Sequence, residues 1–150
     1  KLSISYTTRN PRPGEIDGVN YFFTTQEKFE KAVKNGEFLE WANFSGNYYG
    51  TKASYVEKCL QNGEHLILEI DTQGALQIMK KYPDAEYIFI LPPSLKDLEA
   101  RLRGRGTETE EAIQKRLSQV KRELEISKEF THRIINDNIE TALDGLQKLF

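Results

Sequence analysis

Leu66-Ile-Leu-Glu69-Ile70-Asp71 is apolar almost without a break until it ends in an acid, and that pattern leaves few architectures open. A strand with one solvated face alternates apolar and polar residues, whereas a strand covered on both faces reads as a nearly continuous apolar run. Tyr87-Ile-Phe-Ile-Leu91 repeats the pattern. Between the two runs, residues 74–82 read as a helix that stops at Pro83. Strand, helix, strand in this order implies parallel pairing in an α/β sheet.

The flanking segments extend the reading. Lys1-Leu-Ser-Ile-Ser5 alternates as a strand does, Gly18-Val-Asn-Tyr21-Phe-Phe reads as a turn feeding a short aromatic strand, and Thr24-x-x-Glu27 has the form of a capping box. The helix that follows carries Phe29, Ala32 and Val33 on one face and stops at Asn35-Gly36. Phe38 to Phe44 is strand-like and leads into a turn from Ser45 to Thr51, and Tyr55, Val56, Cys59 and Leu60 mark a further helix closed by Gly63. In the second half, Ser94 caps a helix bearing Leu95, Leu98 and Leu102. Gly104 to Thr109 interrupts it. Ile113, Leu117, Val120 and Leu124 follow at helical spacing, Arg133 to Asn136 forms a last short strand, and residues 139–150 close the chain as a helix.

Composition excludes several classes. The chain has 150 residues, enough for one ordinary core, and its net charge of -2 with 29% charged and 38% hydrophobic residues suits neither a nucleic-acid binder nor a disordered tail. No stretch approaches the ~20 apolar residues of a membrane span. Cys59 is the one cysteine, which fits a reducing compartment, and His65 and His132 lack the neighbours of a structural zinc site. A cytoplasmic location is expected.

Candidate chemistry concentrates in a few segments. Ser5-Tyr-Thr-Thr-Arg9-Asn-Pro-Arg12-Pro-Gly-Glu15 sets two guanidinium groups on a proline-stiffened loop, which suits a phosphate but also describes a solvated turn. Glu69 and Asp71 end a buried strand, where ligands gather in open parallel sheets, and such acids can hold magnesium or its waters. Glu40 precedes Trp41; it either faces water or enters a partly enclosed space, where a carboxylate could accept from the ring N–H and exocyclic amine of guanine. Tyr48 and Tyr49 are either core rings or phenols presented on a turn. Gly104 to Thr109 is either a helix break or a mobile lid carrying arginines.

Together these segments resemble guanylate kinase in order along essentially the whole chain. The resemblance rests on Ser5 to Glu15, Gly18-x-x-Tyr21, Glu37-Phe-Leu-Glu40-Trp41, Ser45-Gly-Asn-Tyr-Tyr49-Gly-Thr51, Glu69-Ile-Asp71-x-Gln-Gly74 and Arg103-Gly-Arg105-Gly-Thr-Glu. It implies a three-layer parallel sheet of the P-loop kinase type, with a small mixed GMP-binding subdomain over 5–51 and an arginine-rich lid over 103–112, within a single domain of residues 1–150. It also implies transfer of a phosphoryl group from ATP to GMP with magnesium. Arg9, Arg12, Tyr21 and Tyr49 would hold the GMP phosphate, while Ser5, Glu40, Thr51 and Asp71 would read or orient guanine. Arg101, Arg105 and Arg116 would stabilise the moving phosphoryl group. Arg105 and Arg116 would also serve the ATP side with Asn136, and Glu69 and Asp71 would act on magnesium through water.

Two departures qualify the resemblance. The glycine-rich phosphate loop with its lysine, G-x-x-x-x-G-K-[ST], occurs nowhere in the sequence. Since Lys1 opens on what should be a second strand, the expectation is a missing strand, loop and helix of roughly 30 residues or fewer. The chain as given is then expected to lack ATP-dependent activity. Asn136-Asp137-Asn138 also lacks a second acid expected after Asp137. The alternative function is a non-catalytic guanylate-kinase-like module that binds GMP or phosphorylated peptides.

Overall fold

The computed structural model describes residues 1–104 and 109–149, and the chain divides into two compact units, Lys1–Pro83 and Asp84–Phe150. Both mix helices and strands.

The first unit is built around a four-stranded mixed sheet in the order β2-β1-β4-β3, comprising β1 (Tyr6–Thr7), β2 (Phe22–Phe23), β3 (Phe38–Phe44) and β4 (Asn47–Lys52). β1 runs parallel to β2 and antiparallel to β4, which pairs antiparallel with β3. Ser45 and Gly46 make the β3–β4 turn, both at positive φ (51° and 80°). That is the combination a tight hairpin needs to match strand twist, and glycine adopts it without steric cost. The expected turn from Ser45 to Thr51 is therefore only two residues long, and Tyr48 and Tyr49 lie on β4 rather than on a presented turn.

Helix α1 (Gln26–Lys34) covers one face of this sheet. Phe29 is 1% exposed and stacks on Phe38 at 4.3 Å and on Tyr48 at 5.3 Å between centroids. Its N-cap is Thr25, whose hydroxyl accepts from the Lys28 amide, so the Thr24–Glu27 capping box does not form; Asn35 closes the helix. Helix α2 (Ala53–Gln61) buries Val56 and Cys59, and helix α3 (Thr72–Met79) buries Gly74, Ala75 and Ile78.

The Leu66–Asp71 run differs from expectation. It joins Leu2 through one parallel bridge at Ile67, with Ser3 N donating to Ile67 O and Ile67 N donating to Lys1 O, both at 2.8 Å. Burial alternates along it, with Ile67 46% exposed, so one face is packed instead of two. Asp71 is not a loose strand end: its carboxylate caps α3, accepting from Gly74 N at 2.8 Å. The short polar side chain that made it a candidate for guanine and magnesium is also what starts a helix.

In the second unit, β5 (Ile88–Leu91) pairs in parallel with β6 (His132–Ile135). Around the pair lie α4 (Leu95–Gly104), α5 (Glu110–Ile126) and α6 (Ile139–Gln147), capped respectively by Ser94, Thr109 and Asn138 through side-chain acceptors. Among the described residues Leu102, Ile113 and Val120 are its buried apolar side chains, and Phe89 meets Phe130 edge to face at 5.1 Å. Arg103 joins α4 to α5 by binding both Glu99 and Glu110. The lid expected over 103–112 falls partly outside the described residues, and Arg105 lies wholly outside them.

Candidate functional site

Two groups of expected site residues come together within the Lys1–Pro83 unit. The first gathers on the segment after β1. Thr7, fully buried, donates its hydroxyl to Tyr48 O at 3.0 Å, and Thr8 accepts from Tyr48 N at 2.9 Å, so the chain is pinned to β4 just before Arg9. The Arg9 guanidinium then reaches Glu15 at 2.8 Å and Asn10 O at 2.6 Å, and lies 5.5 Å from the centre of the Tyr21 ring. Tyr21 meets Tyr49 edge-on at 6.1 Å, and the Tyr49 phenol also interacts with Arg9. Glu15 accepts from Arg12 N at 2.7 Å; the Arg9 hydrogen bond, helped by that amide, holds its carboxyl below the usual range. A guanidinium on a pinned loop, with the phenols of Tyr21 beside β2 and Tyr49 on β4 next to it, can supply several donors to one phosphate.

The second group surrounds Glu40. A β-bulge between Phe38 and Glu40 breaks the alternation of β3, so Phe38, Leu39 and Glu40 are buried in succession. Bulges re-aim side chains in this way. Glu40 is 3% exposed and stands opposite Thr51 in register; burial pushes its carboxyl up to about 7, opposed by hydrogen bonding from Thr51 and reinforced by the nearby Asp71 charge. Thr51, fully buried, lies 3.4 Å from the Ser5 hydroxyl. Ser5, Glu40, Thr51 and Asp71 thus form one connected polar cluster. A carboxylate kept almost dry, with free acceptor capacity, favours a ligand that brings its own N–H donors.

Other expected residues are placed differently. Glu69 is exposed. Among the described residues no group of three or more His, Cys, Asp or Glu side chains could hold a metal ion. In the Asp84–Phe150 unit, Arg101 donates to Asn136 O at 2.8 Å and Asp137 O at 3.2 Å, fastening α4 to the segment before α6. Arg116 is half-buried on α5, and Asn136 N donates to Leu91 O at 2.7 Å.

Sequence reasoning missed the role of Glu15 as the partner of Arg9 and of Gly74 as the residue beneath Glu40. Glu15 was visible as a carboxylate six positions after Arg9. Gly74 carried no local signal, because its neighbour across the cluster is 34 positions away in sequence.

The family profile described as guanylate kinase matches residues 1–150. The guanylate kinase of Synechococcus sp. (strain CC9311) is 53% identical over 147 residues, which cover 98% of this chain and 77% of that protein. That of Bacillus cereus is 50% identical over 149 residues, covering 99% and 73%. Among solved structures, the crystal structure of guanylate kinase from Anaplasma phagocytophilum superposes with a TM-score of 0.81 at 31% identity, covering 99% of this chain and 73% of that one. With the pinned arginine loop, the buried carboxylate and the whole length of the chain in agreement, the protein belongs to the guanylate kinase family.

Proposed function

We propose that this protein transfers the terminal phosphoryl group of ATP to GMP, giving ADP and GDP, and that the Lys1–Pro83 unit holds the GMP. The observation that carries the reading is Glu40, a carboxylate 3% exposed with Thr51 and Asp71 beside it. Guanine brings two adjacent donors to such a group and adenine does not. Ser5, Thr51 and Asp71 orient the base, while Arg9, Arg12, Tyr21 and Tyr49 take the phosphate. The architecture that goes with this activity is a three-layer parallel sheet of the P-loop kinase type, with the GMP subdomain over 5–51 and the lid over 103–112.

On the donor side, Arg101, Arg105 and Arg116 neutralise charge on the phosphoryl group in transfer, and Asn136 serves the adenine side. The reaction needs no covalent intermediate, so positioning and fixed charges supply the rate. Magnesium, bound with ATP, neutralises charge between donor phosphates. Asp71 accepts from Gly74 N at Oδ1 and from Gln73 Nε2 at Oδ2, the latter at 3.4 Å, each oxygen keeping a lone pair for a bound water, and Glu69 is open to solvent. This pair fits a hydrated ion held through water, since magnesium keeps much of its hydration.

The sequence has no G-x-x-x-x-G-K-[ST] loop, so turnover is measured on the intact gene product and GMP binding on the 150-residue chain. GMP-dependent ADP formation by the former and GMP binding by the latter are expected. Binding without ADP formation would identify a non-catalytic module instead. No GMP binding would end the reading.

A further inference from the structure

We infer that Gly74 is a positioning residue for base selection: its bare Cα forms the floor on which the Glu40 carboxylate rests. The inference rests on the reading of Glu40 as the guanine acceptor and adds a residue that does not touch the base. A Cβ placed on Gly74 would overlap Glu40 Oε2, and would lie 3.2 Å from Glu40 Cδ and 3.5 Å from Asp71 Oδ1. Glycine is not required here by backbone conformation. Its φ lies outside the left-handed region, and it occupies the first turn of α3, where alanine is the better helix former.

A buried glycine in a helix therefore gives up helix propensity at a point where a carboxylate approaches the backbone. The neighbours leave the carboxylate little choice of place. Thr51 stands opposite Glu40 in the ladder and bonds to it, and Asp71, held by Gly74 N, presents a like charge. Filling the floor must turn the end of the Glu40 side chain away from α3, because that end is the movable part and the helix backbone is not. The fold survives such a turn. The geometry for two parallel N–H···O bonds to one base edge does not.

The test measures GMP and IMP dissociation constants by calorimetry, with thermal melts, for Gly74→Ala, Glu40→Ala and the double variant. IMP keeps the ring N–H and lacks the exocyclic amine, so the GMP-to-IMP ratio reads the second bond alone. Gly74→Ala is expected to weaken GMP roughly ten- to hundredfold, the loss of a hydrogen bond to a charged group, and to shrink that ratio with little change in melting temperature. In the Glu40→Ala background the same change should do nothing further to GMP affinity, since the two effects share one group. General damage would weaken GMP and IMP alike and leave the ratio intact, which would overturn the inference. Unchanged GMP affinity in Gly74→Ala, with Glu40→Ala weakened, would overturn it while leaving the Glu40 reading standing. Unchanged affinity in Glu40→Ala would remove both. If Gly74→Ala fails to fold, a folded double variant supports the overlap with Glu40, and an unfolded one refutes it.

Discussion

Glu40 carries the heaviest electrostatic cost in the Lys1–Pro83 unit, and the cost has a direction in pH. In the unfolded chain an ordinary glutamate has lost its proton by about pH 5. In the folded protein burial keeps the proton until about pH 7. Between those values the folded state binds more protons than the unfolded chain, so the Glu40 contribution lowers stability as pH rises, by roughly 3 kcal/mol in total, and is constant above pH 7. Glu40→Gln removes this dependence; urea midpoints from pH 4.5 to 8 should show wild type losing ground to the variant up to neutrality. Equal slopes would contradict the burial penalty. On the proposed reading of Glu40 the same titration governs GMP binding: a protonated Glu40 cannot accept two bonds, so GMP affinity should climb with pH and level off above about 7, releasing a proton on binding below it. Arg9→Ala should weaken GMP by about 1.5–3 kcal/mol in calorimetry at fixed pH, because a charge-assisted bond to phosphate is lost. Full retention of affinity would assign Arg9 to loop structure through Glu15 alone.

At the scale of elements, the aromatic stack under α1 is the main apolar support of the sheet that bears both groups. Phe29→Ala opens a cavity between Phe38 and Tyr48 and should cost about 3–5 kcal/mol in urea unfolding. A loss under 1 kcal/mol would mean the sheet holds its shape without that stack. These elements were the readable part of the sequence. The helix over 26–34 announces itself by its apolar spacing and the Asn35-Gly36 stop, and the strands over 38–44, 88–91 and 132–135 by short apolar, β-prone runs, each to within a residue of its ends. Asp71 did not, since one carboxylate can end a strand, start a helix or meet a ligand, and only the Gly74 amide decides among these. The Leu66–Asp71 run misled for a different reason: apolar composition reports what a segment can bury, whereas burial itself depends on neighbours distant in sequence. The bulge in β3 was hidden too, because Phe38-Leu-Glu40 has no turn residue to mark it.

For the whole molecule, ligand and stability are linked. At a GMP concentration about 100 times its dissociation constant, the Lys1–Pro83 unit should gain about 2.7 kcal/mol against urea, followed through the fluorescence of Trp41, the one tryptophan in the chain. An equal concentration of AMP should shift the midpoint far less. Identical shifts would remove the claim of guanine preference. The arginine that fastens α4 to the segment before α6 belongs to the other unit, so Trp41 is not its reporter. Among the described residues no helix is long and apolar enough to cross a membrane. The bulge at Leu39 has one more effect. It puts an extra residue between Phe38 and Glu40 while Phe38 keeps Lys52 and Glu40 keeps Thr51 as partners, so the carboxylate reaches α3 by a count of residues as much as by its identity. If Glu40 reads guanine as proposed, two proteins of this family with the same acid and the same glycine would prefer different bases where one of them had a single residue more or fewer in that strand; selectivity would then be in part a matter of spelling length.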